Sequence, residues 1–108
     1  MDDTAIAYLL TEGATLEEAA AWLDAHPLRC SYALVVLLKQ LVDASLNHDT
    51  TLARHSASVA RLVAERVPNE ERLPAMLEAE WSLGNVTMST GQATRGLNHY
   101  LRRERLRR

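Results

Sequence analysis

The side chains able to act on a substrate or hold an ion are few, and their spacing limits what they can do. Cys30 is the single cysteine, and His26 lies four positions before it. A thiol beside an imidazole can become a nucleophile, because the ring takes the proton and leaves a thiolate. Here Pro27 stands between them, and neither a third group to orient the ring nor an oxyanion loop accompanies the pair. Cys30 therefore reads as a buried or half-buried structural thiol. His48, Asp49 and His55 carry ligand atoms, yet residues 48 and 55 would stand roughly 10 Å apart along a helix axis, too far for one metal ion without a bend. They read as solvated loop and helix-start residues. His99, beside Tyr100, has no partner within reach in the sequence. The spacings of a phosphate loop, a zinc knuckle, a hydrolase elbow or a carboxylate pair do not occur. The sequence argues against an enzyme and implies no cofactor or metal.

One charged motif remains. Arg102, Arg103, Arg105, Arg107 and Arg108 face only Glu104, which puts five guanidinium groups within seven positions. Such a cluster could hold phosphates on nucleic acid or an anionic surface, with an affinity that falls as salt rises. The plainer reading is a helix end whose positive charge complements the dipole, passing into a frayed basic tail over 104–108. The lack of interleaved aromatics or a recognition helix favours the plainer reading and keeps the nucleic-acid or anionic-surface binder as the alternative. At the other end Asp2, Asp3, Glu12, Glu17, Glu18 and Asp24 are acidic, so a formal net charge of -2 hides two opposite poles.

The elements that must position these residues are bounded by composition. A chain of 108 residues, 47% of them hydrophobic, is the size of one domain, and 1–108 is read as a single unit. Phe is absent and aromatics are 5%, so the core is aliphatic, which suits helices better than a sheet sandwich. A single cysteine excludes an internal disulfide, and the start lacks the basic and apolar regions of a secretory leader, making the reducing cytoplasm the expected compartment. The longest apolar run, Tyr32 to Leu38, is far short of the roughly 20 residues that span a bilayer.

Periodicity predicts about six helices. The first, Asp2 to Thr11, spaces Ile6, Leu9 and Leu10 on one face, with Asp2 or Asp3 to cap it and Gly13 to end it; its shortness makes it prone to fray. Thr15 and Glu18 have capping-box spacing and open a second helix whose inner face is Leu16, Ala19, Ala20 and Leu23, stopped at His26-Pro27. Residues from about Cys30 to Asn47 form a helix apolar almost all round, the central pillar. Asp49 or Thr50 caps a fourth helix through Val67, with an inner stripe of Leu52, Ser56, Val59, Leu62 and Val63. A fifth starts at Glu70-Glu71 and runs through Trp81 to about Ser89, with Pro74 tolerable only in its first turn. Gly91 marks a turn into a sixth, from Ala93 to about Arg107. Short connections make successive helices antiparallel, so the fold class is all-α, three stacked hairpins.

The segment from Ala79 to Tyr100 carries a resemblance. Trp81 precedes Leu83-Gly84, and Gly96 is followed four residues later by Tyr100, an order that resembles one tetratricopeptide repeat, W-x2-L-G-x2-Y followed by A-x3-F. The match departs at Trp81, one residue too close to Leu83, and at Thr87, which stands where an aromatic belongs. Gly84 and Gly96 would let two helices cross closely, with Leu83 and Tyr100 filling the space between them. The preceding pair, Tyr32 to Val67, has a similar outline with Ala53, Ala57 and Ala60 as its small face, at an offset of about 39 to 43 residues against the usual 34. The opening TLEEAAAWLDAHP resembles the head of bacterial proteins in which such arrays accompany CHAT-type proteases or signalling NTPases.

What the resemblance implies is a short tetratricopeptide-like α-solenoid that binds a protein or peptide segment, a scaffold and possible N-terminal part of a larger effector. The first helix of each hairpin would line the groove, placing Lys39, Gln40, Asp43, Asn47, Glu78, Ser82, Asn85 and Ser89 against the partner. Asn85, after Leu-Gly, corresponds to an asparagine that bonds a peptide backbone in such grooves; as a bare sequence feature it is equally an ordinary polar surface residue. Trp81 is expected on the inner stripe, in the core rather than as a surface anchor. Three hairpins barely bury their own faces, so self-association along Leu97, Leu101 and Leu106 is a further expectation.

Overall fold

The chain enters its first helix at Asp2, whose carboxylate accepts the Ala5 amide at 2.8 Å, and three later helices open the same way. The computed structural model describes residues 1–89 and 102–106. The helices are α1 (Asp3–Glu12), α2 (Leu16–Ala25), α3 (Tyr32–Ser45), α4 (Thr50–Ala64) and α5 (Asn69–Ser89), with one 3₁₀ turn at Pro27–Arg29. Residues 102–106 are also helical, including three of the positions assigned to a basic tail. Among the described residues the fold is all-α. The Gly91 turn, Gly96, the Leu97 and Leu101 of the self-association stripe, His99, Tyr100, Arg107 and Arg108 lie outside the described residues, as does most of the expected sixth helix.

Side-chain caps decide where the helices begin. Thr15 and Glu18 form the reciprocal box: the Glu18 amide donates to the Thr15 hydroxyl at 3.1 Å, and the Thr15 amide to the Glu18 carboxylate at 3.0 Å. Ser31 accepts the Leu34 amide at 3.1 Å and Asp49 the Leu52 amide at 3.0 Å. Each satisfies a donor that has no partner inside its helix, typically worth about 1 kcal/mol. Pro74 departs from expectation. Because α5 starts at Asn69, the proline sits beyond the first turn, where its ring removes the amide that would bond the Glu70 carbonyl; both residues are exposed, so water can take that acceptor.

The central pillar is α3, which packs on α1, α4 and α5 and buries Leu34, Val35, Leu38 and Val42. Fully burying each such side chain stabilises by about 1.5–3 kcal/mol. α1 is tied to this core by Ile6, Ala7 and Leu10, all buried, so packing holds a helix too short to be stable alone. The floor of α4 is alanine-rich: Ala53, Ala57, Ala60 and Ala64 are fully buried with Ser56, Val59 and Val63, whereas Leu52 and Leu62 sit at its half-exposed margins. α5 answers with Ala75, Ala79, Ser82 and Val86. Small residues on both surfaces let the axes approach closely. Leu16 departs from its expected inner place and is 42% exposed, leaving Ala19 and Leu23 as the buried residues of α2.

Contacts along the helices fix their directions. The Tyr32 amide faces the Glu71 carboxylate at 3.5 Å and Lys39 faces Glu78 at 3.6 Å, both pairs separated by 39 positions, so α3 and α5 run parallel. Arg66 bonds Asp24 at 2.8 Å, and Leu16 and Ala20, earlier on α2, share a cleft with Ser58 and Leu62, earlier on α4, so α2 and α4 also run parallel. Arg29, just before α3, meets Asp3 at the start of α1 at 3.9 Å, while Leu10 near the end of α1 meets His55 in the first turns of α4, beside the end of α3, so α1 runs parallel to α3.

Candidate functional site

The outer surface of α1, α3 and α5 holds most of the residues singled out in the sequence. Gln40, Asp43 and, just past the helix end, Asn47 form an exposed line along α3 at spacings of three and four, the spacing of one helical face. Lys39 flanks this line and is joined to Glu78 of α5, each side chain about a quarter exposed. That pair stitches two helices together, so neither charge is freely presented to a partner. Asn85 is half-buried on α5. Ser82 is not on this surface: it is fully buried, its hydroxyl without a hydrogen-bond partner among the described residues. Ser89 ends α5, and its side chain lies outside the described residues.

Trp81 takes the outward position that Ser82 was expected to hold. Ala75, Ala79, Ser82 and Val86 are among the inward positions of α5, and one residue is about 100° of helix, enough to turn Trp81 out to 38% exposure. Its ring meets the Arg103 guanidinium, 4.8 Å from the ring centroid, a cation–π contact. Met88 is also exposed on this helix.

Between α1 and α3 lies a furrow of about 180 Å³, lined by Thr4, Ala7, Tyr8, Leu37, Gln40 and Leu41. Ala7 forms its buried floor, Leu37 and Leu41 its half-buried wall, and exposed Tyr8 and Gln40 its rims. The furrow has room for a large apolar side chain, with the Gln40 amide beside it able both to donate and to accept a hydrogen bond. Gln40 is thus the expected partner-binding residue best placed beside an opening.

A second arrangement was not anticipated. Glu80 is fully buried on α5, with its carboxylate oxygen 3.8 Å from the Arg61 guanidinium of α4 and 3.3 Å from that of Arg102. A buried carboxylate is costly unless paired, and here two cations from different segments meet it. Arg102 and Arg103, with contacts to Glu80, Trp81 and Glu104, are therefore engaged in the fold, while Arg105 is exposed. In sequence, a glutamate inside a helix reads as solvated; its partners lie 19 and 22 residues away, beyond any local pattern.

The groups with nucleophilic or ligand chemistry are spread apart. Cys30 is buried, and burial pushes its thiol above the ordinary range, away from the thiolate a nucleophile needs. The His26 ring stacks on Trp22 at 4.0 Å between centroids, with Nδ1 2.8 Å from the Trp22 carbonyl oxygen. Asp49 is used as a helix cap and His55 Nε2 lies 3.2 Å from the Leu10 carbonyl oxygen. Among the described residues no group of three or more His, Cys, Asp or Glu is placed to hold a metal ion, and no helix is long and apolar enough to cross a membrane. No family model, curated protein or solved structure matches the chain.

Proposed function

We propose that the protein is a helical interaction module of tetratricopeptide-like design, which receives a segment of another protein on the outer surface of α1, α3 and α5. The observation that carries this reading is the furrow between α1 and α3, an apolar slot with an amide-bearing rim on two helices that run in the same direction. Parallel like-numbered helices are what stacked hairpins produce, and such stacks present the first helix of each hairpin along a continuous surface. The separations of 39 and 42 residues exceed the usual repeat length rather than reproduce it, so the stacking is irregular. The alternative, an anionic-surface binder acting through the arginine cluster, is less well supported, because Arg102 and Arg103 are engaged with Glu80, Trp81 and Glu104.

The test is site-specific photocrosslinking in the source cells with a benzophenone side chain at Gln40, compared with the same probe at Ala21 on exposed α2. The expected result is a discrete adduct from position 40 that position 21 does not give and that Tyr8→Ala abolishes while the helical circular-dichroism signal is retained. Equal adducts from both positions, or none from 40, would overturn the proposal.

A further inference from the structure

The geometry points to the chemistry of the segment that occupies the α1–α3 furrow: a basic peptide with an apolar anchor, one leucine-sized side chain flanked by lysine or arginine. This inference rests on the interaction reading above and adds the identity of the ligand class.

The slot sets the anchor. About 180 Å³ between Ala7, Leu37, Leu41 and the Tyr8 ring gives a large aliphatic side chain an apolar seat. The flanks are set by charge. Asp43 lies one helical turn beyond Gln40, and Glu12 one turn beyond Tyr8, where it also lines the neighbouring cleft with Asp49 and His55, so both exposed carboxylates lie toward the same end of the furrow. Because α1 and α3 run parallel, that end is also where both helices terminate, and a helix C-terminus carries a partial negative charge. Neither last turn contains a basic residue to offset it. The nearest cation on α3, Lys39, is already held by Glu78. Two carboxylates and two helix ends thus lie beyond one end of an apolar slot, and a segment that fills it and extends that way is favoured by positive charge next to its anchor.

The experiment uses the full chain and a fluorescein-labelled pentapeptide with one central leucine flanked by Lys-Arg pairs, read by fluorescence anisotropy and by amide chemical shifts. Binding is expected with shifts concentrated in residues 4–12 and 37–47, weakening as salt rises from low to physiological strength. The pair Glu12→Lys and Asp43→Lys is expected to reduce affinity about tenfold, as attraction at two exposed sites becomes repulsion. Glu17→Lys with Glu65→Lys makes the same change in net charge at exposed sites elsewhere and is expected to leave affinity within about twofold. Equal losses from both pairs would reduce the effect to overall charge and overturn the inference. So would equally tight binding of the peptide with Glu-Asp flanks. Self-association of the chain abolished by Glu12→Lys and Asp43→Lys would place a second copy in the furrow and overturn its assignment to a separate protein. The two readings fail separately: a Gln40 crosslink indifferent to the charge reversals removes the basic-peptide inference alone, and no Gln40 crosslink removes both.

Discussion

Replacing Arg102 by alanine isolates the role of the buried carboxylate. Glu80 has no solvent exposure and Arg102 approaches it to 3.3 Å. With an effective dielectric of about 20, opposite unit charges at that distance attract by about 5 kcal/mol. The Arg102 side chain is 43% exposed, so water already screens the cation and roughly halves the attraction lost on truncation. Arg61 stays at 3.8 Å and retains part of the balance. The net destabilisation expected is about 2 kcal/mol, or roughly 10 °C in midpoint for a chain of this size. Glu80→Gln keeps the shape while removing the charge, and in that background Arg102→Ala has little left to break. Urea unfolding followed at 222 nm on the wild type, both single variants and the double variant gives the coupling directly, expected at about 1–2 kcal/mol. The coupling should persist at high salt, because a partner without solvent exposure is poorly screened. A coupling below about 0.5 kcal/mol, or a loss equal in both backgrounds, would refute the reasoning that Arg102 is held by Glu80.

Leu38→Ala removes a fully buried side chain from the pillar and is expected to lower unfolding free energy by about 2–5 kcal/mol in urea titration, with a loss under about 1 kcal/mol contradicting the central place of α3. Pro74→Ala restores a helix amide at an exposed position and should raise stability by about 1–3 kcal/mol by the same measurement; destabilisation would show that the proline is needed there. The hydrogen bond from Arg66 lowers the folded pKa of Asp24, so that carboxylate contributes stability above its ordinary value of 3.8 that is lost as acid protonates it in the fold. The urea midpoint should therefore fall as pH drops through and below that value, and Asp24→Asn should flatten this part of the profile. Cys30 should react with a disulfide reagent at least about 100-fold more slowly in native buffer than in denaturant, because burial both blocks access and raises its pKa; comparable rates would place the thiol at the surface.

The helices were legible where local chemistry decides them. Asp2, Thr15 with Glu18, and Asp49 act within three residues of themselves, so their caps can be read directly from spacing. The central role of α3 was equally visible, since few helices are apolar on almost every side. Facing on α5 was less legible because two signals compete: Trp81 is the largest apolar residue there, but the run Ala75, Ala79, Ser82, Val86 keeps the inward period and wins because a close helix crossing needs small side chains. One residue of rotation exchanged Trp81 and Ser82 between core and surface. Of the expected partner residues, Gln40 borders the furrow, while Lys39 and Glu78 are engaged with one another across two helices. Glu80 could not be found from its neighbours, since burial of a charge depends on cations brought from elsewhere in the chain.

That dependence has a consequence for synthesis. Glu80 is synthesised 22 residues ahead of Arg102, a delay of roughly 1–4 s at ordinary elongation rates. Meanwhile α1 to α4 contribute the larger share of the aliphatic core and can begin to collapse, but α5 would have to bury a carboxylate opposite Arg61 without Arg102. The nascent chain is thus expected to hold α5 loosely, hydrated along its Glu80 side, until the arginines emerge. A purified chain truncated before residue 102 should expose α5 to protease that the chain containing Arg102 resists, making that distant arginine a condition for α5 to close on the core.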